Sequence, residues 1–347
     1  VLMNKLAGIL ATVVLLYQGL GLMAIPWGRV VAGGVLAGGN AGYLIWRAMR
    51  ESKITIRKVS RKKILSLTRL MGYNFFGRAG NVISKNVDSF IIGRYIGSNA
   101  VTSYRLTKKA PDLVRMFTNR VTVAFMPATS HVAGAGQVER ARAVLVRLLQ
   151  IVTWGLGLML GGMLVFNDDF VRLWVGEEIY GGTLINSLIC LLLFVLITTK
   201  SLSNLCYALG NIEGNSVASG IQSILYILAS WAGAVYYDLV GLIVGAIASN
   251  VLVTLWYYPY IFAELVDIEW SDIRILLTEF GKAALTVAVV GGVLSKFSPE
   301  GWGEFSGAVG GFAGLYSVCL GLLSFRMRGE ILNGIRYLTR LRSQWGE

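Results

Sequence analysis

Residues 70–92, LMGYNFFGRAGNVISKNVDSFII, decide the fold, because a few polar side chains are set there into an apolar background. These polar residues follow one another at steps of 4, 3, 4 and 3: Asn74, Arg78, Asn81, Lys85 and Asp88. At 3.6 residues per turn, this spacing puts all of them on one stripe of one helix. We therefore predict a helix with a polar, mostly cationic face.

The composition around this stretch is that of a membrane protein. The 347-residue chain is 55% hydrophobic and 15% charged, with a mean hydropathy of +0.62, whereas soluble domains carry about 25% charged residues. A charged side chain at the centre of a bilayer costs at least ~2.5–3.5 kcal/mol, so such groups face a bundle interior or a water-filled cavity. We expect an all-α, polytopic membrane helix bundle with a polar path through it.

Apolar runs predict about ten spans, since a helix needs ~20 residues to cross the hydrocarbon core. The predicted spans are residues 6–25, 28–47, 68–93, 100–126, 146–166, 183–209, 216–236, 240–262, 280–297 and 304–325.

The loops between these spans alternate in charge. The connection 47–63, the segment around residues 140–147 and the tail after residue 325 are rich in Lys and Arg, and the opposite loops are poor in them. By the positive-inside rule, the basic loops and both ends of the chain are cytoplasmic. The same rule accounts for the net charge of +13 without a nucleic-acid partner. The basic run 50–63 and the segment 329–345 are each candidates for contact with membrane lipids, and for 50–63 a solvated loop is an equal alternative.

The fourth predicted span repeats the polar pattern of the third. Its polar residues are spaced 3, 4, 3 and 4: Arg105, Lys108, Asp112, Arg115 and Asn119. Lys200 and Asn204 of the sixth span are further candidates, beside Ser201 and Ser203. Either these charges pair with one another and fix the helices together, or the surplus of cations binds an anionic ligand such as a phosphate, for which Arg is a good partner. The asparagines suit sugar hydroxyls or neighbouring helices equally.

Signs of catalysis or of a bound metal are lacking in the sequence. The chain has a single histidine, His131, and neither an H-E-x-x-H motif nor a G-x-S-x-G motif. Its three cysteines stand apart in apolar stretches without metal-ligand spacing. We expect no enzymatic activity, no cofactor and no metal site.

Several short stretches resemble bacterial polysaccharide (O-antigen type) flippases of the multidrug/oligosaccharidyl-lipid/polysaccharide exporter superfamily. They are NVDSFIIGRYIG at 86–97, APD at 110–112, AFMPATS at 124–130 and DFVRLWVG at 169–176. The resemblance implies a MATE-like fold of two lobes around a central cavity that opens alternately to each side of the membrane. It further implies transport of an undecaprenyl-diphosphate-linked oligosaccharide from the inner to the outer leaflet, with an unspecified coupling ion, H⁺ or Na⁺. Other polysaccharide assembly proteins are possible partners.

Matched onto this pattern, the third span corresponds to the family's seventh. The resemblance then divides the chain into the last helices of a first lobe (1–47), a basic cytoplasmic linker (48–67), a second lobe of six helices (68–262), additional C-terminal helices (263–325) and a basic cytoplasmic tail (326–347). The chain begins with Val1, and roughly four helices of the first lobe are expected to be missing from it.

Other functions remain open at the level of sequence. Within the superfamily, the alternatives are a lipid II flippase and a multidrug/cation antiporter. From other classes, the alternatives are a non-transporting membrane scaffold and a membrane glycosyltransferase. The cationic stripe counts against export of cationic drugs.

Overall fold

The computed structural model describes residues 2–50, 60–135 and 138–329. All regular elements of this described part are helical. The chain divides into two compact units, Val1–Leu65 and Ser66–Glu347. Residues 51–59 of the basic run 50–63, for which lipid contact and a solvated loop were equal alternatives, and residues 330–345 of the segment 329–345 lie outside the described residues.

The first unit is a helical hairpin. Helix α1 (Leu2–Tyr17) packs against α2 (Ala24–Arg50), with a 3₁₀ turn at Gly21–Met23. Gly19 and Gly21 have φ values of 83° and 53°, which only glycine adopts readily, so the chain turns there. The prediction of one span over 6–25 was therefore wrong at its end, because α1 stops at Tyr17.

The second unit contains the remaining helices: α3 (Arg61–Tyr95, whose first turns precede the unit boundary), α4 (Ser98–Thr107), α5 (Lys109–Gly134), α6 (Val138–Val175), α7 (Thr183–Ala208), α8 (Ile212–Val266), α9 (Trp270–Leu294) and α10 (Trp302–Leu323). Helix α7 packs against α5, α6 and α8, while α9 and α10 pack against α6 and against each other. The main apolar core is built largely from α6, α7 and α8 and includes Leu145, Leu193 and Leu242. A smaller core around Trp154, Phe312 and Tyr316 joins α6 to α9 and α10.

Helix α8 is interrupted in the middle. Tyr237 and Asp238 have non-helical backbone angles, and the two halves fold back on each other, since an added Cβ at Gly233 would lie 2.0 Å from the carbonyl oxygen of Gly241. The interruption lies between the predicted spans 216–236 and 240–262.

Two further boundaries differ from the sequence-based prediction. The fourth predicted span, 100–126, is broken at Lys108 into α4 and α5. Pro111 lies in the first turn of α5, where the missing N–H of proline costs no helical hydrogen bond. The predicted loop 263–280 is mostly helical, because α8 runs to Val266 and α9 starts at Trp270. Of its acidic residues, Glu264, Asp272 and Glu279 lie in these helices, and Asp267 and Glu269 lie in the short turn between them.

The exterior of the described part is rich in apolar side chains. Phe75 is 75% exposed, Phe90 72% and Leu322 81%, which suits lipid and not water. Among the described residues, five stretches are long and apolar enough to cross a membrane: Gly21–Arg47, Arg142–Val175, Thr183–Ala208, Ile212–Val266 and Trp302–Leu323. The protein is an all-α membrane helix bundle.

Candidate functional site

A polar pocket of about 220 Å³ lies between α3, α7 and α8, with Met126 of α5 at its wall. Its lining residues are Asn74, Gly77, Arg78, Asn81, Met126, Lys200, Ser203, Asn204, Tyr207, Asn215, Ser216 and Ser219. The site therefore contains five residues of the predicted set, namely Asn74, Arg78, Asn81, Lys200 and Asn204.

Helix α3 supplies one wall through residues a turn apart. Asn74, Arg78 and Asn81 share a face because they are separated by four and three residues. The Asn81 amide nitrogen donates to the Gly77 carbonyl at 2.7 Å, which fixes the side chain and leaves its amide oxygen as an acceptor. The Arg78 side chain is exposed at this wall.

The opposite wall comes from the last turns of α7. Lys200 is exposed there, whereas Ser203 and Asn204 are buried. The Asn204 amide nitrogen donates to Asn119 Oδ1 of α5 at 3.3 Å. Asn119, also predicted from the sequence, thus lies next to the pocket and connects it with α5.

The third wall, from α8, was missed by sequence reasoning. Ser203 Oγ donates to Asn215 Oδ1 at 3.0 Å, and Ser219 shares a hydrogen bond of 3.0 Å with the Tyr258 hydroxyl. Asn215, Ser216 and Ser219 are polar residues close together near the start of a largely apolar helix. That spacing was a signal, but uncharged side chains are common in membrane helices.

Close packing of α3 against α8 shapes the pocket. An added Cβ at Gly77 would lie 3.1 Å from the Ser216 carbonyl oxygen, and one at Gly80 would lie 2.8 Å from Ser223 Cβ. Since side chains at these two positions would hold the helices apart, the glycines bring the α3 wall up to α8.

The electrostatic character of the pocket is cationic. Arg78 and Lys200 line it, and the described lining contains no carboxylate. Within the part of the chain that the structure describes, Arg78 forms no ion pair. Two cations among amides and hydroxyls can hold a phosphate group through charge-assisted hydrogen bonds, while the neutral groups suit hydroxyls.

Asp88 and Lys108 belong to a different cluster, away from the pocket lining. Lys108 Nζ lies 3.1 Å from Asp88 Oδ2. The Tyr104 and Tyr226 hydroxyls donate to the two Asp88 oxygens at 3.0 and 2.8 Å. Asp88 is 3% exposed and Lys108 9%. The charges that were expected to face a cavity are here paired between helices, because each compensates the other in an apolar core.

The remaining predicted residues lie outside the pocket lining. Arg115 pairs with Asp112 on α5 at 3.2 Å, so Asp112 does not pair with Lys108 as its spacing allowed. Arg105 is exposed, and its Nε donates to Ser89 Oγ at 2.7 Å. The side chain of Lys85 lies outside the described part of the structure.

Comparison with known proteins gives one match. A family described as polysaccharide biosynthesis protein matches residues 1–179, a stretch that includes the α3 and α5 parts of the pocket. No curated protein and no solved structure gave a match.

Proposed function

The chain belongs to the polysaccharide biosynthesis protein family, and we propose that it is a flippase for a polyprenyl-diphosphate-linked oligosaccharide. In this proposal it carries the repeat unit of an O-antigen or exopolysaccharide from the inner to the outer leaflet of the bacterial cytoplasmic membrane. The mechanism is alternating access. The single observation that carries the proposal is a pocket that is lined by Arg78 and Lys200 and whose described lining contains no carboxylate.

The size of the pocket limits which part of the cargo it holds. The cavity volume of about 220 Å³ is below the ~300–1,000 Å³ of pockets that enclose a drug-sized ligand. That space fits a phosphate group and its immediate neighbours, and the rest of the glycan must lie outside. The lipid tail stays in the bilayer, which fits the apolar exterior of α3 at Phe75.

The position of the pocket along the helices suits loading from the cytoplasm. Its α7 residues lie within the last turns before Ala208, and its α8 residues lie in the first turns after Ile212. The basic-loop pattern predicts that this end of the helices faces the cytoplasm, where a polyprenyl-diphosphate cargo is assembled in this proposal.

A drug antiporter for organic cations is a poorer fit to the same geometry. A cationic compound would need an acid or an aromatic cage, and the described lining offers two cations with Tyr207 as its only aromatic residue. A lipid II flippase shares the diphosphate chemistry and differs in the glycan that follows it.

The test is leaflet-to-leaflet transport in liposomes. A fluorescent undecaprenyl-diphosphate oligosaccharide should move in vesicles that contain the protein, and the variant Arg78→Gln/Lys200→Gln should lose this movement. Arg94→Gln is the matched control, because Arg94 is exposed on α3 outside the pocket lining. Transport of a cationic dye without transport of any diphosphate-linked glycan, lipid II included, would overturn the proposal.

A further inference from the structure

Beyond the pocket, the same face of α5 carries a pair of opposite charges. Asn119, which accepts the hydrogen bond from Asn204 at the pocket edge, is four residues from Arg115. At 1.5 Å per residue, Arg115 lies about 6 Å farther along the α5 axis, on the same side of the helix. Arg115 is therefore the first cation on the α5 face beyond the pocket edge.

The Asp112–Arg115 pair is loosely held. The Arg115 Nη2 to Asp112 Oδ1 distance is 3.2 Å, and the side chains are 34% and 36% exposed. Asp112 Oδ1 has no hydrogen-bond partner among the described residues, so the contact is an ion pair without hydrogen-bond geometry. A partly exposed pair of this kind gives little net stability, and a second anion can compete for the guanidinium.

We infer that Arg115 is a second anion contact of the same site, and that Asp112 competes with the cargo for it. This inference rests on the proposed function, since it takes the pocket to hold one phosphate group of a larger anion. Arg78 and Lys200 line a pocket whose described lining contains no carboxylate, whereas Arg115 has a carboxylate partner on the same helix. The cargo is thus bound firmly at the pocket and weakly at Arg115.

The consequence is an order of affinities along the path. An anion that leaves the pocket along α5 meets Arg115 next, and Asp112 can take that guanidinium back as the anion departs. Asp112 therefore acts as an internal substitute for phosphate, which keeps Arg115 from retaining the cargo.

The test is a mutant cycle on the protein in nanodiscs, with inorganic pyrophosphate as the probe and titration calorimetry as the readout. Asp112→Asn should tighten pyrophosphate binding by about twofold to fivefold, the range for a partly exposed pair. Arg115→Gln should weaken binding, and the double variant should bind as Arg115→Gln does, because Asp112 acts only through Arg115.

Asp169→Asn is the matched control. Asp169 and Arg172 form another pair three residues apart, at 2.7 Å on α6, outside the pocket lining, so this variant should leave binding unchanged. Melting temperatures show whether each variant is folded. If Asp112→Asn does not fold, pyrophosphate binding to Arg115→Gln alone tests the inference. Unchanged pyrophosphate binding in Arg115→Gln would overturn it.

The outcomes separate the two proposals. If the protein binds pyrophosphate and Arg78→Gln reduces this binding, but neither Asp112→Asn nor Arg115→Gln changes it, the second contact is wrong and the flippase proposal stands. If the wild-type protein does not bind pyrophosphate at all, the anion site and the second contact both fail.

Discussion

Lys108 has a buried ammonium group whose partners come from separate helices. Asp88 of α3 provides the charge, and Tyr104 of α4 lies with its hydroxyl oxygen 2.8 Å from Lys108 Nζ. Tyr226 of α8 completes the cluster through Asp88. Because Lys108 stands at the break between α4 and α5, this cluster fixes that break to α3 and α8.

Removal of one charge from this pair should lower the free energy of unfolding far more than removal of both charges. Asp88→Asn or Lys108→Met leaves a buried, unpaired charge, for which about 3–5 kcal/mol of destabilisation is typical. The double variant Asp88→Asn/Lys108→Met should recover most of this loss. Thermal unfolding in detergent measures the effect, and additive losses in the double variant would show that the two charges do not depend on each other.

A surface contact between α6 and the start of α9 should make stability depend on pH. Arg142 Nη1 donates to Glu269 Oε1 at 2.8 Å, and this hydrogen bond and charge lower the pKa of Glu269. A carboxyl group whose pKa falls on folding adds stability above its ordinary pKa, about 4.3 for Glu, and loses it as the pH falls through the lowered value.

Arg142→Gln should therefore flatten the acid side of the curve of melting temperature against pH, because it lowers the melting temperature near neutral pH and changes it little at pH values below the lowered pKa of Glu269. The effect is small, because the pair is exposed. Scanning fluorimetry from about pH 3 to pH 7 covers this range. An equally steep acid side in both proteins would contradict the assignment to Glu269.

At the scale of elements, the approach of α3 to α8 makes the pocket. Gly80→Ala would put a Cβ 2.8 Å from Ser223 Cβ, and such overpacking costs about 1–3 kcal/mol. We expect lower stability and weaker pyrophosphate binding, because the α3 wall moves away from α8. Calorimetry and thermal unfolding measure the two effects.

Gly72→Ala is the control on the same helix. An added Cβ at Gly72 meets nothing within 4 Å, so this change should raise stability by about 0.5–1 kcal/mol through helix propensity alone. If Gly80→Ala has the same stability and the same pyrophosphate affinity as Gly72→Ala, the close approach of α3 to α8 does not shape the site.

Single helices were predictable from the sequence, and contacts between helices were not. The steps between Asn74, Arg78 and Asn81 fix a common helix face, which is why these three residues could be placed together. Helical periodicity does not predict which neighbouring helix a given face will contact. Asp88 lies on the predicted stripe of Arg78, yet it contacts Lys108 and Tyr226.

The α8 wall of the pocket could be identified only from contacts between helices. The break at Lys108 had a local signal in the sequence. Asn215 and Ser219 carry no charge, so they did not stand out in an apolar helix. Pro111 could have indicated a new helix start shortly before it. Asn204, with Ser203 beside it, was named from the sequence, because Lys200 marked that part of α7 as polar.

At the scale of the whole molecule, the basic loops predict which helix ends face the cytoplasm. Ser271, in the first turn of α9, and Ser298, between α9 and α10, are exposed at opposite ends of α9. In a Cys319→Ser background, Ser298→Cys should react with an impermeant maleimide on intact cells. Ser271→Cys should react only after the membrane is opened.

The remaining natural thiols should not react with the maleimide, since Cys190 and Cys206 are buried. The reverse pattern of labelling would put the pocket at the outer face, and loading of the cargo from the cytoplasm would then be excluded for this conformation.

The most direct measurement of the central claim is a structure of the protein in nanodiscs with an undecaprenyl-diphosphate-linked sugar bound. We expect a phosphate group between Arg78 and Lys200, with the sugar next to the amides and hydroxyls of α3, α7 and α8 and the polyprenyl tail in the lipid. Density for the diphosphate elsewhere on the protein, with the pocket between α3, α7 and α8 occupied only by water, would contradict the account.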